Sequence, residues 1–299
     1  MFSRRLMRFR KTAAWWLGCL VVLALVGVAV ACLVEPDSAL GGVRRCRRHG
    51  CPPPVWCWTP CAPGWPGYFP GVQPLPPGIL STQIFTSPKG GRYLVHLTNV
   101  REPDEEAVRR LQPNDGETFV GNDRRASKLA IVSAPVETFA SVDDLLNSLP
   151  NDDDIAMDPG MSAARDSQRV PRERHNVTIS ARLYASSKES DNDFHCIVGT
   201  EGPAQGRSYI NAEISGLPNA NEQFFQPLQA VREQFKTDLG SNLPGHGYRV
   251  WPAGIPIRVS GSLLFDVTHY RQGNQAGTGI YRAQTFWEIH PITALEFEP

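Results

Sequence analysis

The sequence predicts a mainly β protein with one helix. The expected architecture is an OB-like five-stranded barrel (β-β-β-α-β-β) behind an N-terminal transmembrane helix and a Pro/Cys-rich stalk. Three observations predict it. A basic cluster is followed by a long apolar run, a proline-dense stretch carries four cysteines, and the C-terminal 124 residues hold five alternating segments with one helical segment after the third.

Residues 1–12 form a basic segment containing Arg4, Arg5, Arg8, Arg10 and Lys11. The next 22 residues, 13–34, carry no charge and are mostly apolar; at about 1.5 Å per residue they span roughly 33 Å, the thickness of a bilayer. Ala29-Val30-Ala31 is a small-residue pattern suited to signal cleavage, and Cys32 behind it makes lipidation at Cys32 the alternative anchor. The first cluster abuts the apolar run, with Glu35 and Asp37 on its far side, so the N-terminus is placed inside despite Arg44, Arg45, Arg47 and Arg48 further on.

Residues 35–79 read as a stalk. Ten prolines fall between positions 52 and 77, which excludes helix and inner strand and leaves an extended, stiff spacer. Cys46, Cys51, Cys57 and Cys61 lie within it. In an oxidising compartment they pair as two disulfides, with three connectivities open; zinc binding is the alternative, although the middle spacing is short for two separated knuckles.

Residues 80–150 read as a mixed α/β segment. Tyr93–Val100 and Lys128–Val132 have strand character, and Ser141 caps a short helix that Pro150 ends. Residues 151–175 open with Asn151 and Asp152 to Asp154 and continue with Pro, Gly and Ser, the composition of a flexible connector. The acidic run lacks the alternation and glycine of a calcium loop.

Residues 176–299 form the expected barrel. Val177–Tyr184, Phe194–Val198 and Ile210–Ile214 alternate apolar and polar side chains; Leu228, Val231, Phe235 and Leu239 share one face of a helix over 226–240; Ile257–Val267 and Thr285–Phe297 supply the last two strands. Gly261 falls inside the fourth strand, where a small barrel must bend.

Asp191–Val198, Val259–Asp266 and Phe286–Ile292, the last with its Trp-Glu-Ile-His-Pro core, resemble a family of uncharacterised bacterial exported or membrane-anchored proteins with an OB-like domain. The resemblance covers about residues 126–299. It implies an exported compartment and an OB-like fold, and it transfers no activity. Together with the apolar run it places the chain in the bacterial inner membrane as a single-pass protein with its C-terminal domain extracytoplasmic, or as a lipoprotein.

The zero net charge conceals a split. Nine basic and two acidic residues precede position 61, leaving 21 against 28 beyond it. A mildly acidic domain lacks the positive field that phosphate backbones require, so no nucleic-acid partner is expected. There is no phosphate-binding glycine loop, His-Glu-x-x-His or Gly-x-Ser-x-Gly, so no cofactor is expected and the common hydrolase readings lose their anchors. By pleat, Asp193, His195, Glu213, Glu288 and His290 point away from the barrel core while Phe194, Cys196 and Trp287 fill it. The five polar residues, on an outward solvated face, are the candidate ligand-binding set. The function expected is a membrane-tethered binding module for an envelope protein or polymer. The alternative is a metal-dependent hydrolase built on the same His, Asp and Glu side chains, distinguished by whether His195 and His290 converge.

Overall fold

The computed structural model describes residues 77–100 and 116–299. The expected membrane helix, Cys32 and the four stalk cysteines lie outside these residues. Among the described residues no helix is long and apolar enough to cross a membrane.

The chain opens with a hairpin, β1 (Ile79–Thr86) and β2 (Arg92–Thr98), in which Ile84 faces Leu94. The short helix α1 (Arg125–Lys128) and the strand β3 (Val136–Phe139) follow. Next come the helices α2 (Val142–Ser148) and α3 (Asp152–Ala156) and the long strand β4 (Asn176–Lys188). The strands β5 (Phe194–Gly199) and β6 (Tyr209–Ile214) lead to the helix α4 (Phe225–Leu239). The 17-residue strand β7 (Arg249–Phe265), the helix α5 (Val267–Gln272), a small ribbon of β8 (Gly277–Thr278) and β9 (Tyr281–Arg282), and finally β10 (Trp287–Phe297) complete the fold.

Eight strands form one mixed sheet in the order β1-β2-β7-β10-β6-β5-β4-β3. β3–β4 and β6–β10 are parallel pairs and the other pairs are antiparallel. β7 also pairs with β4, so β4, β5, β6, β10 and β7 close a ring of pairings.

This architecture corrects the expected five-stranded OB-like barrel with one helix. The strands and helix of residues 176–299 lie near where their patterning puts them, with the fourth strand starting earlier, at Arg249, but among the described residues three more strands join the same sheet and five helices accompany it. Length explains the extension on one side: β7 is long enough that Arg249 and Val250 meet Leu97 and His96 of β2 while its later residues pair with β10. On the other side β3 lies parallel to the start of β4, Val136 beside Asn176. The described residues accordingly belong to one compact unit.

Two segments depart from their local reading. Lys128 ends a helical turn, and Leu129 to Val132 run without strand pairing. The 151–175 stretch, expected as a connector, is anchored by chemistry its composition hides. Asp152 accepts hydrogen bonds from Thr285 Oγ1 (2.5 Å) and the Phe286 amide (3.3 Å), and Asp153 accepts one from the Tyr270 hydroxyl (2.7 Å). Ile155 and Val170 are buried in the core. The Arg124 guanidinium, on a left-handed backbone with φ 50°, clamps both oxygens of buried Glu173 at 2.6 and 2.8 Å.

The main core lies between the sheet and α4. Phe194, Cys196 and Val198 of β5 face Phe235 and Leu239, with Trp287 and Ile289 of β10 in the same cluster. Trp287 is buried, and its indole N–H donates to the Pro150 carbonyl at 3.0 Å. The core uses one face of β5, β6 and β10; the other face carries the candidate site.

Candidate functional site

Period-two geometry places Asp193 and His195 at the start of β5, Asn211 and Glu213 on β6, and Glu288 and His290 on β10, on the face opposite Phe194, Ala212 and Ile289. The registers align them: His195 pairs with Glu213, and Glu288 lies beside Asn211. The five sequence candidates therefore converge.

They are not solvated, as the outward reading required. Asp193, Glu213 and His290 have no exposed surface, and His195 and Glu288 are buried too. The reason is a cover the patterning does not announce. Residues 116–130 cross this face, with the Phe119 amide bonded to Leu217, the Val120 amide to Asp191 and the Lys128 carbonyl accepting from Ser215. The N-terminus of α5 closes the side, where Asp266 accepts from the amides of Thr268 and His269.

Glu213 is the hub. Its Oε1 lies 2.8 Å from His195 Nε2 and accepts from Asn211 Nδ2 at 2.7 Å; its Oε2 lies 2.7 Å from His290 Nδ1. His290 Nδ1 also meets Glu288 Oε1 at 3.2 Å, and its Nε2 stands 3.6 Å from Asp193 Oδ2. Arg169, itself buried, donates to the His290 carbonyl at 2.5 Å. Lys128 Nζ lies 3.7 Å from Asp266 Oδ2, and the His195 and His269 rings are 6.5 Å apart.

Burial and charge set the protonation states. Burial alone would raise Glu213, but His195, His290 and Lys128 hold its carboxyl well below the usual range. Burial disfavours charge on His290, yet Glu213, Glu288 and Asp193 raise it to about 9. Burial, then Asp191, pushes Asp193 well above the normal carboxylate value, and burial with Glu213 raises Glu288 to about 7. Lys128 is raised despite burial by Glu213, Asp266 and Glu288. At Asp193 and Glu288 burial and neighbouring acids thus outweigh the nearby His290 and Lys128. Cys196, on the core side, is driven up to about 12 by burial and is a packing residue, not a nucleophile.

No protein-family model, curated protein or solved structure matches the chain. The site's meaning therefore rests on its geometry. Asn211 lies two residues before Glu213 on the same strand face, and the same pleat argument finds it. Lys128 and Asp266 fall at the ends of segments read as strands and His269 in none, so nothing in their patterning announces that they join the cluster. The pocket of about 270 Å³ lined by Arg125, Leu129, Pro218, Glu222 and Phe224 shares no residue with the cluster.

Proposed function

We propose that the chain is a membrane-tethered, extracytoplasmic interaction module of the bacterial inner membrane. In this reading the apolar run 13–34, or lipidated Cys32, is the anchor, and the domain binds a partner protein by adding an extended segment to its sheet at β1. The observation that carries the binding mode is the edge itself. β1 reads Ile-Leu-Ser-Thr-Gln-Ile-Phe-Thr, without a charge or a proline, and among the described residues it pairs only with β2. Natural edge strands are blunted by charges, proline or bulges because they present unpaired amides and carbonyls. The irregularity between Ile79 and Ser81 blunts only the first turn of this edge. Beyond it Ile84, 52% exposed, stands opposite Leu94, 44% exposed, with Leu80 at 62% nearby. Such an edge offers main-chain hydrogen bonds for affinity and an apolar strip for selectivity. His195 and His290 do converge on Glu213, the geometry set for the hydrolase, but the cluster is buried away from any substrate, which favours binding. That burial also removes the Asp193, His195 and Glu213 face as the docking surface.

The test is a photo-crosslinking residue in place of exposed Gln83 in the full chain, expressed in cells. A discrete protein adduct is expected, and it should disappear when Ile84→Lys and Leu94→Lys are introduced together. An adduct indifferent to the two lysines, or none at all, would remove the β1 edge from the proposal.

A further inference from the structure

Two buried atoms beside Glu213 have no hydrogen-bond partner among the described residues, Asp193 Oδ2 and His290 Nε2, 3.6 Å apart; Glu213 Oε2, 2.7 Å from His290 Nδ1, is the third donor atom of the group. Each belongs to a side chain with no exposed surface. Buried polar atoms are nearly always satisfied, so two orphans this close together require an explanation. Each side chain is meanwhile held through its other atom. Asp193 Oδ1 accepts the Gly216 amide at 2.5 Å, Glu213 Oε1 is held by Asn211 and His195, and His290 Nδ1 is bonded to Glu288. Carboxylates and imidazoles fixed by such outer partners, each with one donor atom left facing inward, have the arrangement of metal ligands.

We infer that Asp193, Glu213 and His290 form a closed site for one divalent cation, joining β5, β6 and β10. One donor atom from each lies within 4.8 Å of the other two. Bonds of about 2.1 Å at tetrahedral angles need donors roughly 3.5 Å apart. The 3.6 Å between Asp193 Oδ2 and His290 Nε2 already meets this, and Glu213 would supply the third donor by moving closer. One imidazole and two carboxylates suit zinc or manganese better than the all-oxygen shells of calcium and magnesium. Position supplies the purpose. β6 and β10 share only two register pairs, Glu288 with Asn211 and Ile289 with Ala212, so this is a short seam of the ring, and the cation would bridge it. Being sealed, the site is structural. It stands on residues separate from the β1 edge, and either proposal survives the failure of the other.

The test uses the full chain with Cys46, Cys51, Cys57 and Cys61 changed to serine, so that the stalk contributes no thiolates. After chelator treatment, zinc and manganese are titrated separately by calorimetry, and metal content is measured by elemental analysis. One cation per chain is expected, with affinity reduced at least about tenfold in Asp193→Asn and in His290→Gln. The unsubstituted chain needs no variant: its melting temperature should fall with chelator and recover with the cation. Melting indifferent to chelator and cation, or stoichiometry and affinity unchanged in both variants, would overturn the site.

Discussion

At the scale of single residues, His290 and Trp287 show how a strand divides its labour. They sit three apart on β10, the indole in the apolar core and the imidazole in the polar cluster, both buried. A solvated His290 would be nearly silent to substitution; a buried one is not. Trp287→Ala should cost about 3–5 kcal/mol through lost packing. His290→Ala should cost a similar amount, about 3–5 kcal/mol, because it strips a cation from buried Glu213. Urea unfolding of the two variants checks this, and a His290→Ala midpoint equal to wild type would place that ring outside the network. The face each residue occupies was legible from period-two alternation alone. Its burial was not, because alternation reports which side of a sheet a residue is on and says nothing about whether a later-folding segment covers that side. Lys128 is the clearest instance: its neighbours Leu129 to Val132 look like a strand, yet the chain there serves as a cover whose path is set by the buried Arg124–Glu173 pair.

At the scale of elements, α5 is a six-residue helix whose cap doubles as a charge site. Asp266 accepts two backbone amides, and its Oδ2 lies 2.9 Å from His269 Nδ1. Burial opposes the charge on His269, but Asp266 raises it from 6.5 to about 9, while Lys128 and His195 on the facing elements oppose it more weakly. A basic group raised on folding stabilises fully below its unfolded value and loses that contribution as pH climbs through the folded one. The stability that His269 supplies should therefore be complete below about pH 6.5 and fade toward pH 9. Melting curves of wild type and His269→Gln across this window should converge as pH rises, since glutamine keeps a hydrogen bond to Asp266 without the proton. A constant gap between the two curves would show that the ionised pair contributes nothing. Other elements were plain in the sequence for local reasons. Ser141 caps α2 by accepting the Asp144 amide at 3.1 Å, and the apolar spacing of α4 delivers Leu228, Val231, Phe235 and Leu239 to the interior. The acidic run at α3 misled because composition alone cannot show that Asp152 will meet Thr285, 133 positions later.

At the scale of the whole molecule, the strands were legible and their assembly was not. Nothing in the alternation of β7 reveals that one strand serves β2, β4 and β10. Pairing partners are chosen by shape and by covering segments that leave no local periodicity. The tether proposed for this sheet makes a prediction at the same scale. A reporter active only outside the cytoplasm, fused after Pro299, should be active in cells, with the basic residues 4–11 facing inward. An inactive fusion on a normally expressed chain would reverse the topology and revive thiolate chemistry for the stalk cysteines.

The ring of pairings is completed by β10, which follows the other four ring strands in chain order and inserts between β7 and β6. Without β10 the facing edges of β6 and β7 stand open, and Glu213 and Asp193 lack His290. A message cut short before Trp287 yields a chain in which both edges stay open and the buried acids lack their imidazolium. Loss of this one strand thus opens the ring of pairings and the buried charge network together.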